Sequence, residues 1–247
     1  MKADPADQLR LLDVQRIDSR IDQLRHQLQT LPELAELDRL RQQRADLDNR
    51  VRDARIVVDD LTSDQEKVDA DVESVRARRE RDRARMDSGQ VSNPKDLQRM
   101  QHEMESLEKR VSDLEDEELE VMARLEDAQR DADSLAARLD EVMQRGRDTV
   151  AARDRRTSEI NAELAEAETE RGPAVEGMSA ELLGLYDKLR SSKGGVGAAE
   201  LRARQCGGCM LTLDAAEITA IKGRPEDDVV RCENCQRILV RTAESGL

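Results

Sequence analysis

Apolar residues recur along much of the chain at alternating steps of three and four positions, with charged residues filling most positions between them. This spacing is typical of a helix that buries one narrow face in a coiled coil. A first run extends from Val14 to Val75, and a second extends from Leu97 to Val142 and then fades through Ile160, Leu164 and Ala167. The first run opens with Val14, Ile17, Ile21, Leu24, Leu28 and Leu31. The pattern therefore predicts two long amphipathic helices.

The two runs are separated by the segment MDSGQVSNPKD, which combines a helix stop with a helix start. Gly89 favours the end of the first helix, because glycine readily adopts the left-handed conformation of a helix C-terminus. Asn93 followed by Pro94 is typical of a helix N-terminus, with asparagine as the cap and proline in the first turn. The sequence therefore predicts a turn near residues 87–94.

The similar lengths of the two runs favour an antiparallel hairpin within one chain, over residues 1–172. In that pairing Val14 faces Ala167. Pro32 interrupts the first run, and its missing N–H predicts a kink in the first helix. Gly146 lies at nearly the same height on the second helix, so the sequence predicts a bend shared by both helices.

The overall composition supports narrow helical seams rather than a globular core. Charged residues make up 39% of the 247 residues, Phe and Trp are absent, and Tyr186 is the single aromatic residue. Aromatic side chains usually contribute much of a core, so burial here depends on aliphatic side chains. Tyr186 falls in the amphipathic stretch MSAELLGLYDKLR, which predicts a short helix packed at the base of the hairpin.

The charge of the chain argues against a general nucleic-acid binder. The formal net charge is −14 and the isoelectric point is about 4.8, which repels phosphate backbones at long range. The chain start lacks the apolar run of a secretion signal, and no stretch is apolar enough to span a bilayer. We therefore expect a cytoplasmic protein without membrane association, as a monomer or weak dimer.

The chain contains four cysteines, all in its last fifth and arranged as two C-x-x-C pairs. Twenty-two residues separate the pairs, which is the arrangement of a zinc ribbon, where each pair supplies two thiolates to one tetrahedral ion. The candidate ligands are Cys206, Cys209, Cys232 and Cys235. Four thiolates leave no coordination position for an activated water, so we expect one structural Zn²⁺.

Three other uses of the cysteines are weaker. Disulfides are disfavoured because the chain start lacks a secretion signal. A redox C-x-x-C would need a βαβ setting and would leave the second pair unexplained. Iron in an all-sulfur site shares the tetrahedral geometry of zinc, so the spacing favours zinc but leaves iron open.

The predicted ribbon covers residues 198–247 and follows a connector at 173–197, whose Gly-rich end, SSKGGVG, predicts a flexible link. Short strands are predicted at 201–204, 210–213, 227–231 and 237–241, with a helical crossover at 215–221. Gly207, Gly208 and Asn234 are expected to supply left-handed backbone within the two knuckles.

The hydrophobic core of the predicted ribbon is small. It comprises Leu201, Leu211, Leu213, Ile218, Ile221, Val229 and Ile238. A module of this size cannot easily offset its chain entropy, so zinc must supply folding free energy, about 10–16 kcal/mol in small zinc-finger peptides. The predicted fold class is mainly α: a long antiparallel coiled-coil hairpin with a small C-terminal β zinc ribbon.

A basic cluster precedes the predicted turn. The segment RARRERDRAR holds six arginines and two acids, on an otherwise acidic chain. Such a cluster either contacts a partner or nucleic acid, or pairs with Glu103, Glu105 and Glu108 on the returning helix, and we favour the pairing. The candidate contact residues are Arg76, Arg78, Arg79, Arg81, Arg83, Arg85, Lys95 and Arg99.

Several segments resemble a known family, the bacterial C4-type zinc ribbon proteins built on a long coiled-coil hairpin. The resemblance covers essentially the whole chain and is carried by SNPKDLQRMQHEMESL, by YDKLR before a Gly-rich link, and by CGGC and CENCQRILV. It implies that the four cysteines bind zinc. Two positions depart from the family pattern: Gln236 stands where glycine is frequent, and Val240 stands where tyrosine is common.

Members of that family are linked to flagellar and secretion-related regulation through protein partners that include the sigma factor sigma-54, and some members are linked to RNA. The resemblance therefore implies a regulatory or adaptor role. The sequence contains no paired nucleophile and base and no phosphate-binding loop, so we do not expect an enzyme.

The leading functional prediction is a non-enzymatic adaptor that binds proteins. The alternative is a regulator that binds RNA or DNA through the ribbon or the arginine-rich tip. The ribbon has seven basic residues against eight acidic ones and no aromatic residue, which weakens both its attraction for phosphate and its capacity for base stacking.

Overall fold

The computed structural model describes residues 1–247 and is mainly α-helical. The helices are α1 (Pro5–Gln29), α2 (Pro32–Asp87), α3 (Pro94–Val175), α4 (Ala180–Ser192) and α5 (Ala215–Lys222). The strands are β1 (Ala198–Arg202), β2 (Gln205–Cys206) and β3 (Ile238–Arg241). A coiled-coil hairpin with a small C-terminal sheet confirms the predicted fold class. None of the helices combines the length and the apolar composition needed to cross a membrane.

The chain divides into two compact units. One unit comprises residues 35–150, which form the hairpin portion that contains the turn. The other comprises residues 1–34 and 151–247, which form the hairpin base together with α4, the sheet and α5.

Within the first of these units, α2 and α3 pack antiparallel through aliphatic side chains on their facing sides. A buried cluster near the turn contains Val68, Val72, Leu114 and Val121. Far from the turn, the Arg145 guanidinium donates to the Glu36 carboxylate at 2.9 Å. These cross-helix contacts follow directly from the alternating three-and-four spacing, which places the apolar residues of each helix on one face.

The turn between α2 and α3 is formed by the residues that the sequence predicted. Gly89, with φ of +70°, follows the last residues of α2 in the left-handed conformation. Pro94 is the first residue of α3, and the Asn93 Oδ1 accepts a hydrogen bond from the Lys95 N–H at 3.1 Å. Asparagine therefore caps an N–H of the first turn, which has no partner within the helix.

The first helical run is broken rather than kinked at Pro32. Helix α1 ends at Gln29, and Pro32 begins a new helix as its first residue, where a missing N–H costs nothing. Leu31, between the two helices, remains buried with Leu24 and Ile160. The prediction of a kink within one helix is therefore wrong, although proline does mark the interruption; α3 continues through Gly146 without a break.

The predicted pairing of Val14 with Ala167 is also wrong. Ala167 is fully buried against Ile17 and Ile21, about one helical turn away from the expected partner. Val14 instead belongs to a larger core at the base of the hairpin. The contact differs from the prediction because α4 and the sheet cover this end of α1, so its apolar side chains pack against them.

The base core, as we call this cluster, joins the N-terminal helix, α4 and the ribbon. Its fully buried members are Leu11, Val14, Leu182, Tyr186, Ile238 and Val240. Strands β1 and β3 both contact α1. The ribbon is therefore not an appended module, because its sheet and the hairpin base share one core.

The end of α3 extends one turn past the predicted stop. Pro173 lies inside the last turn, and the helix ends at Val175 rather than at Gly172. The Arg10 guanidinium donates to the carbonyls of Ala174 at 3.1 Å and Glu176 at 2.7 Å. These bonds satisfy carbonyls that lack helical partners at a C-terminus and so fix the end of α3 against α1.

The glycine-rich connector is held in place rather than free. The Gln15 side chain accepts from the Gly197 N–H at 2.7 Å and donates to the Gly195 carbonyl at 2.8 Å. A Cβ at Gly197 would lie 2.6 Å from the Tyr186 carbonyl oxygen, so only glycine fits this approach. The connector therefore packs on α1 and α4, contrary to the predicted flexible link.

A buried carboxylate joins three helices at the base. Asp18 is 1% exposed and accepts from the Tyr186 hydroxyl at 2.8 Å and from the Arg171 Nε at 2.7 Å. The Arg190 Nε lies 3.6 Å away, which gives electrostatic contact without a hydrogen bond. Its Nη2 donates to Asp22 at 2.7 Å. The network ties α1 to α3 and α4 through residues far apart in sequence.

Tyr186 gives a pH-dependent signal from this network. Burial, and then the hydrogen bond to Asp18, raise the pKa of Tyr186 well above its ordinary value. The pKa of Tyr186 is higher in the folded chain than in the unfolded chain. The stability that Tyr186 contributes is therefore fully present below about pH 10 and falls as the pH rises further. As Tyr186 is the only aromatic residue, near-ultraviolet absorbance follows it alone. We expect tyrosinate to form only together with unfolding of the base; ordinary titration near pH 10 with helicity intact would contradict this.

Candidate metal centre

The four cysteines lie on three parts of the ribbon that the fold brings together. Cys206 ends β2, Cys209 follows it in the first knuckle, and Cys232 and Cys235 form the second knuckle before β3. The order of strands in the sheet is β2-β1-β3, with β1 antiparallel to β2 and parallel to β3. The strands attached to the two knuckles, β2 and β3, therefore flank β1 in one small sheet.

The sulfur atoms have the spacing of a tetrahedral site. All four Sγ atoms lie within 4.8 Å of one another. Two cross-knuckle pairs, Cys206–Cys235 and Cys209–Cys232, are both separated by 3.9 Å. Thiolates at about 2.3 Å from Zn²⁺ stand about 3.8 Å apart in a regular tetrahedron. The cysteines therefore fit one zinc ion, whereas a disulfide would need sulfurs about 2 Å apart.

Both knuckles turn on the residue that follows their second cysteine. Met210 has φ of +63° and Gln236 has φ of +66°, and each N–H donates to the carbonyl of the first cysteine of its pair at 2.8 Å. The prediction that Gly207, Gly208 and Asn234 would supply left-handed backbone is therefore wrong, since none of the three has positive φ.

The two knuckle glycines lie in close packing instead. A Cβ at Gly207 would lie 3.1 Å from the Glu200 carbonyl oxygen on β1. A Cβ at Gly208 would lie 2.7 Å from the Arg237 Cδ and 3.1 Å from the Ala199 Cβ. The first knuckle thus rests directly on β1 and on the side chain that follows the second knuckle.

Burial acts to raise the pKa of the cysteine thiols, whereas hydrogen bonds from backbone N–H groups act to lower it. Burial raises the pKa of Cys206 to about 12, although the N–H groups of Gly208 and Cys209 partly oppose this. At Cys235 burial also acts to raise the pKa, but the N–H and the guanidinium of Arg237 outweigh it and lower the pKa to about 7. The same amide dipoles stabilise thiolates that ligate a metal.

Arg237 is a structural residue that the sequence analysis missed. Its guanidinium donates to the carbonyls of Gly208 at 3.1 Å, Val196 at 2.9 Å and Lys193 at 2.6 Å. It therefore fastens the first knuckle and the connector to the start of β3. An arginine directly after a knuckle is the only sequence signal of this role, and that signal cannot distinguish it from a surface arginine.

The ribbon has its own small core beneath the cysteines. Its buried members are Ala199, Leu201, Cys206, Leu213, Ile218, Ile221, Val230, Cys232 and Leu239. Three predicted members are placed elsewhere: Val229 and Ile238 join the base core, and Leu211 is 51% exposed. The segments 210–213 and 227–231 make only isolated bridges, so the prediction of full strands there is wrong.

The basic tip divides into paired and unpaired arginines. Three arginines of α2 form ion pairs with glutamates of α3: Arg76 with Glu115, Arg78 with Glu103, and Arg79 with Glu108. Arg99 pairs with Asp96 within α3. Arg81, Arg83, Arg85 and Lys95 make no ion pair. The predicted pairing with Glu103 and Glu108 is thus observed, while Glu105 lies beside His102.

A coiled-coil hairpin that ends in a closed four-cysteine site defines a class of structural zinc proteins. The chain matches the family profile of the CT398-like coiled coil hairpin domain over residues 14–194, and that of the C4-type zinc ribbon domain over residues 205–239. The chain belongs to the CT398-like coiled coil hairpin family. The matched zinc ribbon and the sulfur geometry together assign the ion as one structural zinc.

Relatives are similar to this chain over nearly their full length. Two proteins of Mycobacterium tuberculosis, Rv2229c of strain H37Rv and MT2288 of strain CDC 1551, are each 33% identical over 245 residues, which is 98% of both chains. A structure from Mycobacterium smegmatis superposes with a TM-score of 0.82 at 34% identity, covering 98% of this chain and 100% of its own.

A more distant structure shares the fold. CT398 of Chlamydia trachomatis superposes with a TM-score of 0.65 at 18% identity, over 96% of this chain and 98% of its own.

The two departures from the family pattern have local explanations. Gln236 adopts the left-handed conformation that glycine would supply, and its Nε2 donates to the Glu233 carbonyl at 2.9 Å. Val240 is fully buried in the base core.

Proposed function

We propose that the protein is a non-enzymatic adaptor that binds protein partners in the cytoplasm, in transcription or secretion-related regulation. The observation that carries this proposal is an exposed apolar pair at the first zinc knuckle. Met210 is 65% exposed and Leu211 is 51% exposed, in a chain that buries most of its large apolar side chains. Apolar side chains form the buried centre of many protein interfaces, so an exposed apolar pair beside the metal site supports a protein contact there.

The knuckle presents this pair rigidly. Met210 is fixed by its hydrogen bond to the Cys206 carbonyl and by its positive φ, and the Met210 carbonyl accepts from the Gln205 side chain at 2.6 Å. Because the backbone of this segment is already ordered, binding through it does not have to order a loop, which favours affinity from a small contact. The four-thiolate site has no open position for substrate, which supports an adaptor rather than an enzyme.

A second candidate function has a specific observation in its favour. Arg81, Arg83, Arg85 and Lys95 lack acidic partners, so the tip offers four cations to phosphate groups. Phosphate contacts of this kind bind RNA or DNA with little sequence preference and with steep salt dependence. The acidic balance of the remaining chain opposes such binding, and we rank it second.

Affinity capture from cells that naturally express the protein tests the proposal. Replacing Met210 and Leu211 together by Ser is expected to lower recovery of partner proteins more than tenfold, because the two lost apolar anchors together contribute on the order of 2–4 kcal/mol and tenfold corresponds to about 1.4 kcal/mol. Nuclease treatment should leave recovery unchanged. The captured proteins are identified by mass spectrometry, and their recovery is quantified against the wild-type chain.

The matched control replaces Ile56 and Val57 of α2, which are 52% and 50% exposed, by Ser. This control should retain its partners. If both double variants lose partners equally, or neither does, the knuckle is not the binding surface. If nuclease abolishes capture and replacement of Arg81, Arg83 and Arg85 by Glu does so as well, the nucleic-acid function replaces the adaptor.

A further inference from the structure

The unit of residues 35–150 contains an apolar groove between α2 and α3, distant in sequence from the ribbon. Its volume is about 400 Å³, and it opens to solvent along one side. Its floor and walls consist mainly of Leu37, Leu40, Val142, Met143, Gly146 and Val150. Leu37 and Leu40 belong to the seam and are only 6% and 3% exposed, so the floor of the groove is formed by seam residues.

The groove exists because Gly146 occupies a seam position. Gly146 follows Val142 by four residues, where the alternating spacing calls for an apolar side chain. A Cβ built on Gly146 meets no atom within 4 Å, so the space above the backbone is open. Glycine is, after proline, the residue least favourable to a helix interior. Nothing in the local backbone requires it, since α3 is regular here.

The rim of the groove is basic. Arg41 and Arg44 on α2 and Arg147 on α3 line its edge. Arg147 donates only to the neutral Gln144 side chain. Arg41 and Arg44 make exposed pairs with Asp38 at 2.8 Å and Asp48 at 3.5 Å. Exposed pairs within one helix are weak, so both guanidinium groups can turn to another acid at small cost.

The surroundings of the groove differ in charge from the rest of the chain. Residues 35–50 and 138–150 together hold seven acidic and seven basic residues, whereas the whole chain carries −14. An acidic ligand is repelled by most of this molecule, and it meets a neutral, arginine-rimmed surface here. Charge complementarity therefore points to an acidic occupant.

We infer that this groove binds an acidic amphipathic helix of a partner protein, which places a bulky apolar side chain over Gly146 and carboxylates against Arg41, Arg44 and Arg147. The inference rests on the proposed adaptor function and adds a second contact surface to it. A helix lying in a groove between two helices is a recurrent mode of recognition, with anchors spaced at three and four residues.

The shape of the groove favours a helix over a small molecule. Sites for small ligands enclose most of the ligand surface, whereas this groove is open along its length. A second copy of the chain is a weaker occupant, because it brings a whole chain of net charge −14 against another, whereas a short helix contacts only the arginine-rimmed groove.

The test uses the full-length zinc-loaded chain and a fluorescein-labelled peptide of about 21 residues, with leucines at three-and-four spacing and glutamates on both flanks of that stripe. A matched peptide carries lysines in place of the glutamates. Fluorescence anisotropy at low salt should give about tenfold tighter binding for the acidic peptide. Equal binding of both peptides, or no binding of either, overturns the inference.

Gly146→Leu is the decisive variant. Leucine fills the groove and favours the helix more than glycine does, so the chain remains folded while affinity for the acidic peptide falls about tenfold or more. Replacing Arg41, Arg44 and Arg147 by Glu should abolish acidic-peptide binding. The matched control replaces the exposed Arg52, Arg55 and Arg110 by Glu, which changes the net charge equally and should retain binding.

Three further outcomes overturn the inference. Binding by Gly146→Leu within about twofold of wild type places the peptide elsewhere. Displacement of the peptide by dodecanoate at stoichiometric concentration assigns the groove to a small amphiphile. Self-association of the wild type that Gly146→Leu abolishes, measured by sedimentation equilibrium, assigns it to a second copy. None of these alters partner capture through Met210 and Leu211, so failure here and failure of the adaptor proposal are distinguishable.

Discussion

Replacing Cys232 by Ser is expected to remove zinc and to unfold the ribbon. Cys232 is 1% exposed, and its sulfur lies 3.9 Å from that of Cys209 across the site. Zinc supplies about 10–16 kcal/mol to small zinc-binding peptides, more than a core of this size can replace. Metal analysis should find almost no zinc, and limited proteolysis should cut between the two knuckles.

The same variant should loosen the hairpin base but spare the portion that contains the turn. Ile238 and Val240 of β3 belong to the base core, so unfolding of the ribbon exposes Leu11 and Tyr186. Residues 35–150 form their own compact unit, and most of the helical circular dichroism should persist.

Met210→Ser is the control for this variant, because Met210 is exposed in the same knuckle and ligates nothing; it should keep one zinc per chain. A Cys232→Ser protein that retains one zinc and a protease-resistant ribbon would show that the metal does not maintain this module.

Replacing Asp18 by Ala is expected to destabilise the base by about 3–5 kcal/mol, the usual cost of removing one partner from a buried ion pair. The change leaves the Arg171 and Arg190 side chains, only 32% and 22% exposed, without their carboxylate. It also leaves the buried Tyr186 hydroxyl without its acceptor. Urea unfolding followed by Tyr186 fluorescence measures the loss in the region concerned.

Asp13→Ala is the matched control on the same helix. Asp13 pairs with Arg16, but their side chains are 63% and 78% exposed, so its loss should change the free energy of unfolding by less than about 1 kcal/mol. Similar losses for the two variants would mean that the buried network adds nothing to the stability of the base.

Much of the fold could be predicted because its signals are local. The spacing of Val68 and Val72 on α2, and of Leu114 and Val121 on α3, places each set on one face wherever the helix lies. The segment Asn93–Pro94 caps a helix through atoms of its own first turn. The cysteine pairs likewise carry their spacing within a few residues, so the sequence predicted the metal site without knowledge of the sheet.

Local sequence signals cannot decide between two structures when both are compatible with the same residue. Pro32 excludes a normal helix interior, but a kink and a new helix both meet that requirement, and packing of Leu31 decided between them. Leu211 fits a strand by its type, yet its segment makes only an isolated bridge to β2, in which Leu213 is buried and Leu211 is exposed.

The sequence by itself determined which segments are helical, where the hairpin turns, and which four sulfurs meet, because each depends on interactions within a few residues or on side chains with one dominant use. Only the tertiary structure decided that Asp18 is buried, that Val14 packs with β3 and α4 rather than with Ala167, and that Gly146 opens a groove. These features depend on partners more than a hundred residues away, as Tyr186 is from Asp18. Burial of a side chain is a property of everything packed around it, and no local pattern specifies that.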